Sequence, residues 1–534
     1  MTTDLWTPSR RSILMGGVAA LAGIGLAGCS DDSAVTSTKR SLSPGPSNKG
    51  TPKQGGNLRV GLFGSGAANE TINPMVAVGL ADIARVFQLY EPLFAAGDKG
   101  ELTPKLAVSA TSNSTATLWT FHLRRGATWH DGKPFNADDV VFTVKQSWGN
   151  TKNLFNAALA NIVDFAGVKK ADDYTVQIPL KLGVADFPSI TTFPNLYIVQ
   201  NGTKDFTKGV GTGPFKMGTF KPGTSVFKAF GNYWQEGQPY VDQVTITSSF
   251  QSEESRLNAL LAGDLDIVPQ TTSALALANQ KSGRLVLGNQ PGPACVPMIM
   301  RVTKGELANP KIREALKLIP DRKAYVNNVF NGYGTVSVDA MGQTDKYFDD
   351  TLRHSQDIAK AKSILKSIGK SDLQVELRTS SVVAGMNEIA TLFKQQATQA
   401  GVTVNLKKYA PTTYYSEAAG VFNRDFCLDF AAQGMNSLAL IYLTWNVAKG
   451  PYNQSGFGAN PADQKLVLDA LSEVDESKAK EKWRAVQQEQ VTSGPYIIPA
   501  TQNWLDAYST KVRGVQTTTA YTCGGYNFAS GWLV

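Results

Sequence analysis

Histidine is scarce in this chain, and long strings of like charge are missing. Only 3 of the 534 residues are histidine, so a histidine-based metal or acid–base site would need distant residues to converge. The net charge of +8 is spread along the chain without a run of five like charges, which is typical of a solvated surface. A nucleic-acid interface needs a concentrated basic patch. We therefore expect no metal site and no nucleic-acid partner.

Signatures of catalysis are missing as well. The chain contains no GxSxG, HExxH or Walker A pattern and no complete GxGxxG. Asp264 and Asp266 could be read as a carboxylate pair, but a turn before a strand predicts that both are exposed. His130 lies in a turn, where a structural hydrogen bond is expected. We predict that the protein is not an enzyme and uses no cofactor.

Long apolar runs are absent except near the N-terminus. Residues 13–27 form an apolar run that is shorter than the ~20 residues of a spanning helix. The run follows Arg10-Arg11 and ends in a sequence that resembles a bacterial lipobox, with Cys29 as the lipidated residue. We predict a twin-arginine-like signal peptide over residues 1–28, with the export route left open between the twin-arginine and general secretory pathways.

The segment after this cysteine is poor in apolar residues. Residues 29–54 are rich in Ser, Thr, Pro, Gly and Lys, which predicts a flexible tether. The protein is therefore expected at the outer face of the cytoplasmic membrane, held by a lipid anchor. The three later cysteines allow one disulfide and one free thiol, and the sequence does not say which two would pair: Cys295, Cys427 and Cys523.

Residues 118–148 carry several local structural signals. Alternating apolar residues from Trp119 predict a half-buried strand, and Asp131-Gly132 predicts a tight turn. Asn136 is a predicted N-cap, with acidic residues in the first turn of the helix that follows. Further along, from residue 373, a strand, a helix and a second strand follow one another in about 35 residues. This order predicts a βαβ unit with parallel pairing.

The same stretch resembles the signature of the family 5 extracellular solute-binding proteins, the peptide- and nickel-type receptors of ABC importers. The resemblance is long and ordered, and it rests on residues 123–126, 129–135 and 137–142. It implies an α/β protein with the two-lobed periplasmic-binding-protein type II fold, mixed sheets, a hinged cleft and an additional inserted domain. The implied boundaries are 55–100, 205–290 and 495–534 for lobe I, 101–204 for the inserted domain, and 291–494 for lobe II.

The resemblance also implies a function. Such a protein captures a small-molecule or peptide-like ligand in the cleft between its lobes and delivers it to a permease and ATPase complex, and we expect it to act as a monomer. A lipoprotein receptor or chaperone with no transport role would share the fold, and gene neighbourhood would separate the two. An exported hydrolase is the less favoured alternative, which a turnover assay would test.

One segment departs from the peptide-binding members of the family. Their motif "GW.aDy" corresponds here to residues 429–438, in which Gly434 fits, Met435 replaces the aromatic residue and Leu438 stands near the place of the acid. A buried ammonium without a counter-charge is costly. The ligand is therefore predicted to lack a free amino terminus, as a sugar, a blocked peptide or a lipophilic metabolite would, unless Glu70 or Glu417 supplies the carboxylate.

The predicted ligand contacts are amide, apolar or aromatic side chains. Amides offer neutral hydrogen bonds, methionine forms an adaptable apolar wall, and aromatic rings stack on sugar faces or cover apolar groups. For each residue taken singly, packing in the core or at the rim is the alternative. The candidates are Asn73, Tyr414, Gln433, Met435, Asn436, Trp445 and Asn453.

Overall fold

The computed structural model describes most of the chain after residue 40. The described residues are 41–64, 70–97, 100–149, 156, 159–411, 413–416, 424–431, 435, 437–515 and 521–534. The predicted signal peptide and Cys29 lie outside them. The helices of seven or more residues are Leu80–Leu89, Ala137–Thr143, Glu253–Ala262, Ser273–Asn279, Pro310–Lys317, Arg322–Asn328, Ile358–Ser367, Met386–Ala397, Leu438–Trp445, Pro461–Leu471 and Glu476–Thr492.

The largest sheet belongs to the first lobe and mixes parallel and antiparallel pairs. Strand Asn57–Gly61 is parallel to both of its neighbours, while the remaining pairs are antiparallel. Strand Gly334–Val336 adds to this sheet by pairing with Ala500–Ser509. The order across the sheet is Ser43–Pro44, Leu285–Cys295, Ala500–Ser509, Ile267–Val268, Asn57–Gly61, Gln243–Thr247, Thr224–Ala229 and Phe215–Lys221.

The second lobe contains a five-stranded sheet. Its strand order is Thr403–Tyr409, Gln374–Ser380, Phe426–Leu428, Met298–Met300 and Tyr496–Ile497. The predicted βαβ unit is confirmed, because the first two of these strands are parallel and helix Met386–Ala397 connects them. Gly401, with a φ of 79°, ends the connection in the left-handed conformation that favours glycine.

The segment between the first two parts of the first lobe, predicted as residues 101–204, is called the inserted segment below. It forms an antiparallel sheet of four strands. Their order is Ala107–Ser112, Leu118–Leu123, Thr175–Pro179 and Lys169–Asp172. The strand and the capped helix predicted within residues 118–148 are confirmed, and Asn136 forms a full capping box with Asp139. Two smaller sheets pair Phe94–Ala96 with Leu102–Pro104 and Val512–Arg513 with Trp532–Leu533.

Two large hydrophobic cores organise the described residues. One lies in the first lobe, around the strands near Leu58, Val244 and Tyr508. The other is continuous from residues 93–198 into residues 295–500, so the inserted segment packs against the second lobe. The domain boundaries given above stay a prediction. The shared core adds a relation that the sequence does not indicate.

Two long strands carry the chain between the lobes. Strand Leu285–Cys295 leads into the second lobe and strand Ala500–Ser509 returns from it, and they pair along most of their length. Their register shifts between Pro291 and Cys295, where the chain leaves the first-lobe sheet. We refer to these two as the hinge strands. The N-terminal segment 43–44, within the predicted tether, pairs with the first of them.

Several polar residues take structural roles. Asp266 was expected to be exposed, and that expectation is wrong, because its side chain is buried and accepts two hydrogen bonds from the Arg59 guanidinium at 2.8 and 2.9 Å. His130 makes the expected structural contacts, with Nδ1 accepting from the Gly211 N–H at 3.1 Å and Nε2 3.0 Å from the Gly213 carbonyl. The three later cysteines are all buried free thiols, so the disulfide that their number allows is not formed.

Candidate functional site

The candidate site is built around helix Leu438–Trp445 in the second lobe. This helix is apolar on all sides, which is typical of a helix enclosed by protein, and all eight of its residues are buried. The short helix Phe187–Ile190 of the inserted segment packs on it. The helix therefore lies where the inserted segment and the second lobe meet.

Apolar and aromatic residues lie beside this helix, and we call Met435, Trp445 and Tyr452 the apolar wall; the first two are buried and Tyr452 is partly exposed. Met435 precedes the helix, and its sulfur accepts a 3.7 Å hydrogen bond from the Thr444 hydroxyl. Trp445 ends the helix and stacks on Tyr452, with ring centroids 5.6 Å apart and an interplanar angle of 23°. The Trp445 indole N–H is buried and has no hydrogen-bond partner among the described residues. Two predicted ligand residues are thus brought together on one element.

Two other predicted ligand residues have structural contacts instead. Tyr414 is fully buried, and its hydroxyl donates to the carbonyls of Arg378, at 3.2 Å, and Leu428. Asn453 uses its amide within its own loop, donating to the carbonyls of Val447 and Phe457 and accepting from the Gly456 N–H. These contacts explain both residues without a ligand. Their proposed ligand contacts stay untested.

The remaining predicted residues are only partly described. Gln433, Asn436 and Glu417 lie outside the described residues. Asn73 caps a 3₁₀ turn, where its side chain accepts from the Met75 N–H at 3.0 Å. The turn is attached to the inserted segment, because Asn195 donates to the carbonyls of Pro74 and Ala77 at 2.8 and 3.0 Å.

Glu70 is not available as a ligand counter-charge. Its carboxylate is buried in the first lobe and accepts a 2.8 Å hydrogen bond from the Arg85 guanidinium. It also accepts from the Ser248 hydroxyl at 2.9 Å and from the Gly223 N–H at 2.8 Å. This carboxylate serves the first-lobe core.

A carboxyl group from elsewhere in the chain lies beside Leu438, the residue near the place of the missing acid. Asp345 is buried, and its Oδ2 accepts a 2.8 Å hydrogen bond from the Leu438 N–H at the start of the site helix. Its Oδ1 accepts from the Tyr347 N–H at 2.6 Å. Burial, and secondarily the nearby negative charge of Asp186, raise the pKa of Asp345 to about 7. Residue 345 is about ninety positions before the motif, and no local pattern indicates this contact.

Asp186 connects the inserted segment to the second lobe. Its carboxylate accepts from the Ser437 hydroxyl at 3.1 Å and lies 3.4 Å from the Lys346 ammonium. The Ser189 hydroxyl donates to that of Ser437 at 2.8 Å. Both carboxyl groups beside the start of the helix are thus already bonded to protein donors, and Asp186 links the inserted segment to the second lobe.

A cavity of about 340 Å³ lies between the inserted segment and the second lobe. Its size is at the lower end of ligand pockets. None of the predicted ligand residues lines it. The lining residues are Asn161, Ile162, Leu182, Leu443, Val447, Ala448, Lys449, Gln464 and Leu468.

Comparison with known proteins identifies the family to which this chain belongs. Residues 101–448, which are most of the chain, match the family described as "Bacterial extracellular solute-binding proteins, family 5 Middle". The chain is a family 5 solute-binding protein. The predicted family and fold class are therefore confirmed, and the family is one of solute-binding proteins, which agrees with the prediction that the protein is not an enzyme.

Individual relatives of this family 5 protein bind different solutes. The glutathione-binding protein GsiB of Pectobacterium atrosepticum is 24% identical over 441 residues, covering 80% of this chain and 85% of GsiB. The structure of HbpA2 from Haemophilus parasuis has a TM-score of 0.77 at 21% identity and covers 90% of this chain and 100% of HbpA2. The periplasmic binding protein DppA from Helicobacter pylori, in complex with the peptide STSA, has a TM-score of 0.73 at 19% identity, covering 90% of this chain and 99% of DppA.

Two further observations concern the described part of this family 5 protein. None of its described helices is long and apolar enough to cross a membrane. Within the same residues, no three His, Cys, Asp or Glu side chains gather in a group that could hold a metal ion.

Proposed function

We propose that the protein is an extracytoplasmic substrate-binding lipoprotein of an ABC importer. It captures a small solute between its lobes and delivers it to a permease and ATPase complex. Membership of the family carries the proposal. The two hinge strands support it, because they are the kind of connection about which lobes close on a ligand.

The cleft wall favours a solute without a free ammonium group at the site helix. Met435 and Trp445 are buried in the described arrangement and Tyr452 is partly exposed, so separation of the lobes would be needed to present their apolar and aromatic surface to a solute. The two carboxylates near Leu438 are already bonded to protein groups and to Lys346. A sugar, a blocked peptide or a lipophilic metabolite would therefore fit better than a peptide with a free amino terminus.

The anchor is the second part of the proposal. Cys29 follows a signal peptide with a lipobox-like end, and lipidation there would hold the folded part at the outer face of the membrane. Replacing Cys29 by alanine should release the protein from washed membranes into the soluble fraction. Retention of the variant in the membrane fraction would contradict the anchor and leave the binding function untouched.

A thermal-shift screen of the chain from residue 31 tests ligand capture. The panel contains free peptides, N-blocked peptides, oligosaccharides and divalent metals. A solute at 100 times its dissociation constant stabilises the folded state by about 2.7 kcal/mol, a readable shift. Stabilisation by blocked peptides or sugars alone supports the proposal. Stabilisation by free peptides contradicts the predicted solute class, and no stabilisation by any solute contradicts solute capture.

Two variants then locate the bound solute. Tyr452→Leu removes the ring that stacks on Trp445, while Leu468→Trp fills the cavity between the inserted segment and the second lobe. We expect Tyr452→Leu to weaken binding and Leu468→Trp to leave it unchanged. The opposite result would place the solute in the cavity and contradict the proposed wall.

A further inference from the structure

The N-terminal segment 41–44 lies on the first hinge strand as an added edge strand. Ser43 pairs with Asn289 and Pro44 with Gly288, in antiparallel register. The side-chain amide of Gln290 also donates to the Ser43 carbonyl at 2.8 Å. This segment is within the stretch predicted to be a flexible tether, yet it is fixed to the connection between the lobes.

A series of side-chain hydrogen bonds, centred on two asparagine amides, runs from this segment across both hinge strands. Asn289 donates to the Ser41 carbonyl at 3.0 Å and accepts from the Asn503 side chain at 2.8 Å. Asn503 in turn accepts from the Thr335 hydroxyl at 3.0 Å. Thr335 belongs to strand Gly334–Val336, which comes from the part of the sequence predicted as the second lobe but pairs with the second hinge strand in the first-lobe sheet. These hydrogen bonds therefore join the N-terminal segment to both hinge strands and to the strand beside them.

Because its amides are buried, this series of hydrogen bonds is sensitive to the loss of any one of its partners. With the segment docked, Asn289 is 1% exposed and Asn503 is 3% exposed. A buried amide that loses its acceptor carries the full cost of desolvation. If the segment leaves, Asn289 must turn to find another partner, and its bond to Asn503 is the first to change. The side-chain bond from Thr335 to Asn503 then loses its fixed acceptor, while the backbone pairing of the Thr335 strand with the second hinge strand remains.

We propose that segment 41–44 regulates the hinge. While it is docked, it favours the arrangement in which the inserted segment packs on the second lobe, and its departure allows the lobes to separate. The proposal rests on the proposed function, because closing of the lobes is what captures the solute. The bend is placed where the register of the hinge strands shifts, directly after Pro291. Eleven residues lie between the predicted lipidation site Cys29 and Ser41, so the segment is close in sequence to the predicted membrane attachment.

Interlobe distances measured by pulsed electron spin resonance test the proposal. Spin labels are placed on exposed positions of the two lobes through Thr224→Cys and Ser363→Cys. The three native thiols are buried and stay unlabelled. Chains beginning at residues 31, 41 and 48 are compared without ligand, and the chain from residue 41 is the matched control because it keeps the docked segment.

We expect the chains from residues 31 and 41 to give the same distance distribution. The chain from residue 48 should show at least twice the share of longer distances. Gln290→Ala in the chain from residue 31 removes the side-chain hydrogen bond to Ser43 and should also increase the share of longer distances. This variant tests the role of the segment even if the chain from residue 48 folds poorly. Equal distributions for the chains from residues 41 and 48, or for Gln290→Ala and its parent, would overturn the proposal.

The solute affinity separates this inference from the proposed function. If the closed form becomes threefold rarer, the apparent dissociation constant of a bound solute rises about threefold. A solute that binds all chains equally contradicts the hinge inference alone. A protein that binds no solute contradicts the proposed function, while the distance measurement still decides whether the segment controls the hinge.

Discussion

Asp345 should make the stability of the protein fall as the pH rises from 4 to 7. Its carboxyl group is buried at the start of the site helix, with Asp186 nearby and Lys346 as the adjacent cation. Burial and the charge of Asp186 raise its pKa to about 7, against 3.8 for the free side chain. The folded protein therefore holds a proton there that the unfolded chain releases.

The size of the effect follows from the two pKa values. Between pH 4 and 7 the folded state binds one more proton than the unfolded state, so the free energy of unfolding falls with pH. Each pKa unit corresponds to about 1.4 kcal/mol, and a shift of about three units gives a loss of roughly 4 kcal/mol that is complete above pH 7. Asp345→Asn cannot ionise and should remove this part of the pH dependence, while losing one backbone hydrogen bond.

Urea unfolding of the parent and Asp345→Asn between pH 4 and 8 measures the difference. We expect the free energy of unfolding of the variant, relative to the parent, to increase by about 4 kcal/mol across this range. The control Asp205→Asn changes an exposed carboxylate in a surface turn and should give no comparable change. Parallel pH profiles for the parent and Asp345→Asn would refute the reasoning, because they would show that the buried carboxyl titrates as it does in the unfolded chain.

Three further predictions concern other buried groups. Arg85→Met should lower the free energy of unfolding by about 3–5 kcal/mol in urea titrations, because it leaves buried carboxylates without their cation. In NMR titrations, the His130 ring should remain neutral until the pH falls to about 4, because burial lowers its pKa, and a midpoint near 6.5 would contradict this. A thiol reagent should not label the native chain from residue 31 and should label three thiols after denaturation: Cys295, Cys427 and Cys523.

Local patterns predict the elements of this fold well because the determining interactions are local. The Asn136 cap, the helix after it and the parallel βαβ unit all depend on residues within a few turns of one another. Asp266 shows where such reasoning stops. Its neighbours predict an exposed turn, but Arg59, more than two hundred positions earlier, forms the ion pair that buries it. Contacts over such distances leave no periodic signal in the sequence.

The site shows the same limit more clearly. Tyr414 and Trp445 are both aromatic residues near the motif, and the sequence does not indicate that both rings are buried or that Tyr452 stacks on Trp445. The contact of Asp345 with the site helix is likewise invisible in the motif, because it joins residues more than ninety positions apart. The sequence thus indicates a candidate segment, and the tertiary contacts decide which of its side chains are already bonded within the protein.

The contact between the inserted segment and the second lobe combines a shared apolar core with polar groups at its edge. Ala185 donates its N–H to the Leu471 carbonyl at 2.7 Å, and Ser189 bonds to Ser437. The Lys346 side chain opposite Asp186 is 40% exposed, so water can solvate this ion pair when it opens. Polar groups of this kind regain hydrogen bonds in water, whereas a purely apolar core would not. The apolar contact of helix Phe187–Ile190 with the site helix then provides the net attraction, and a solute that adds to it would favour the closed form.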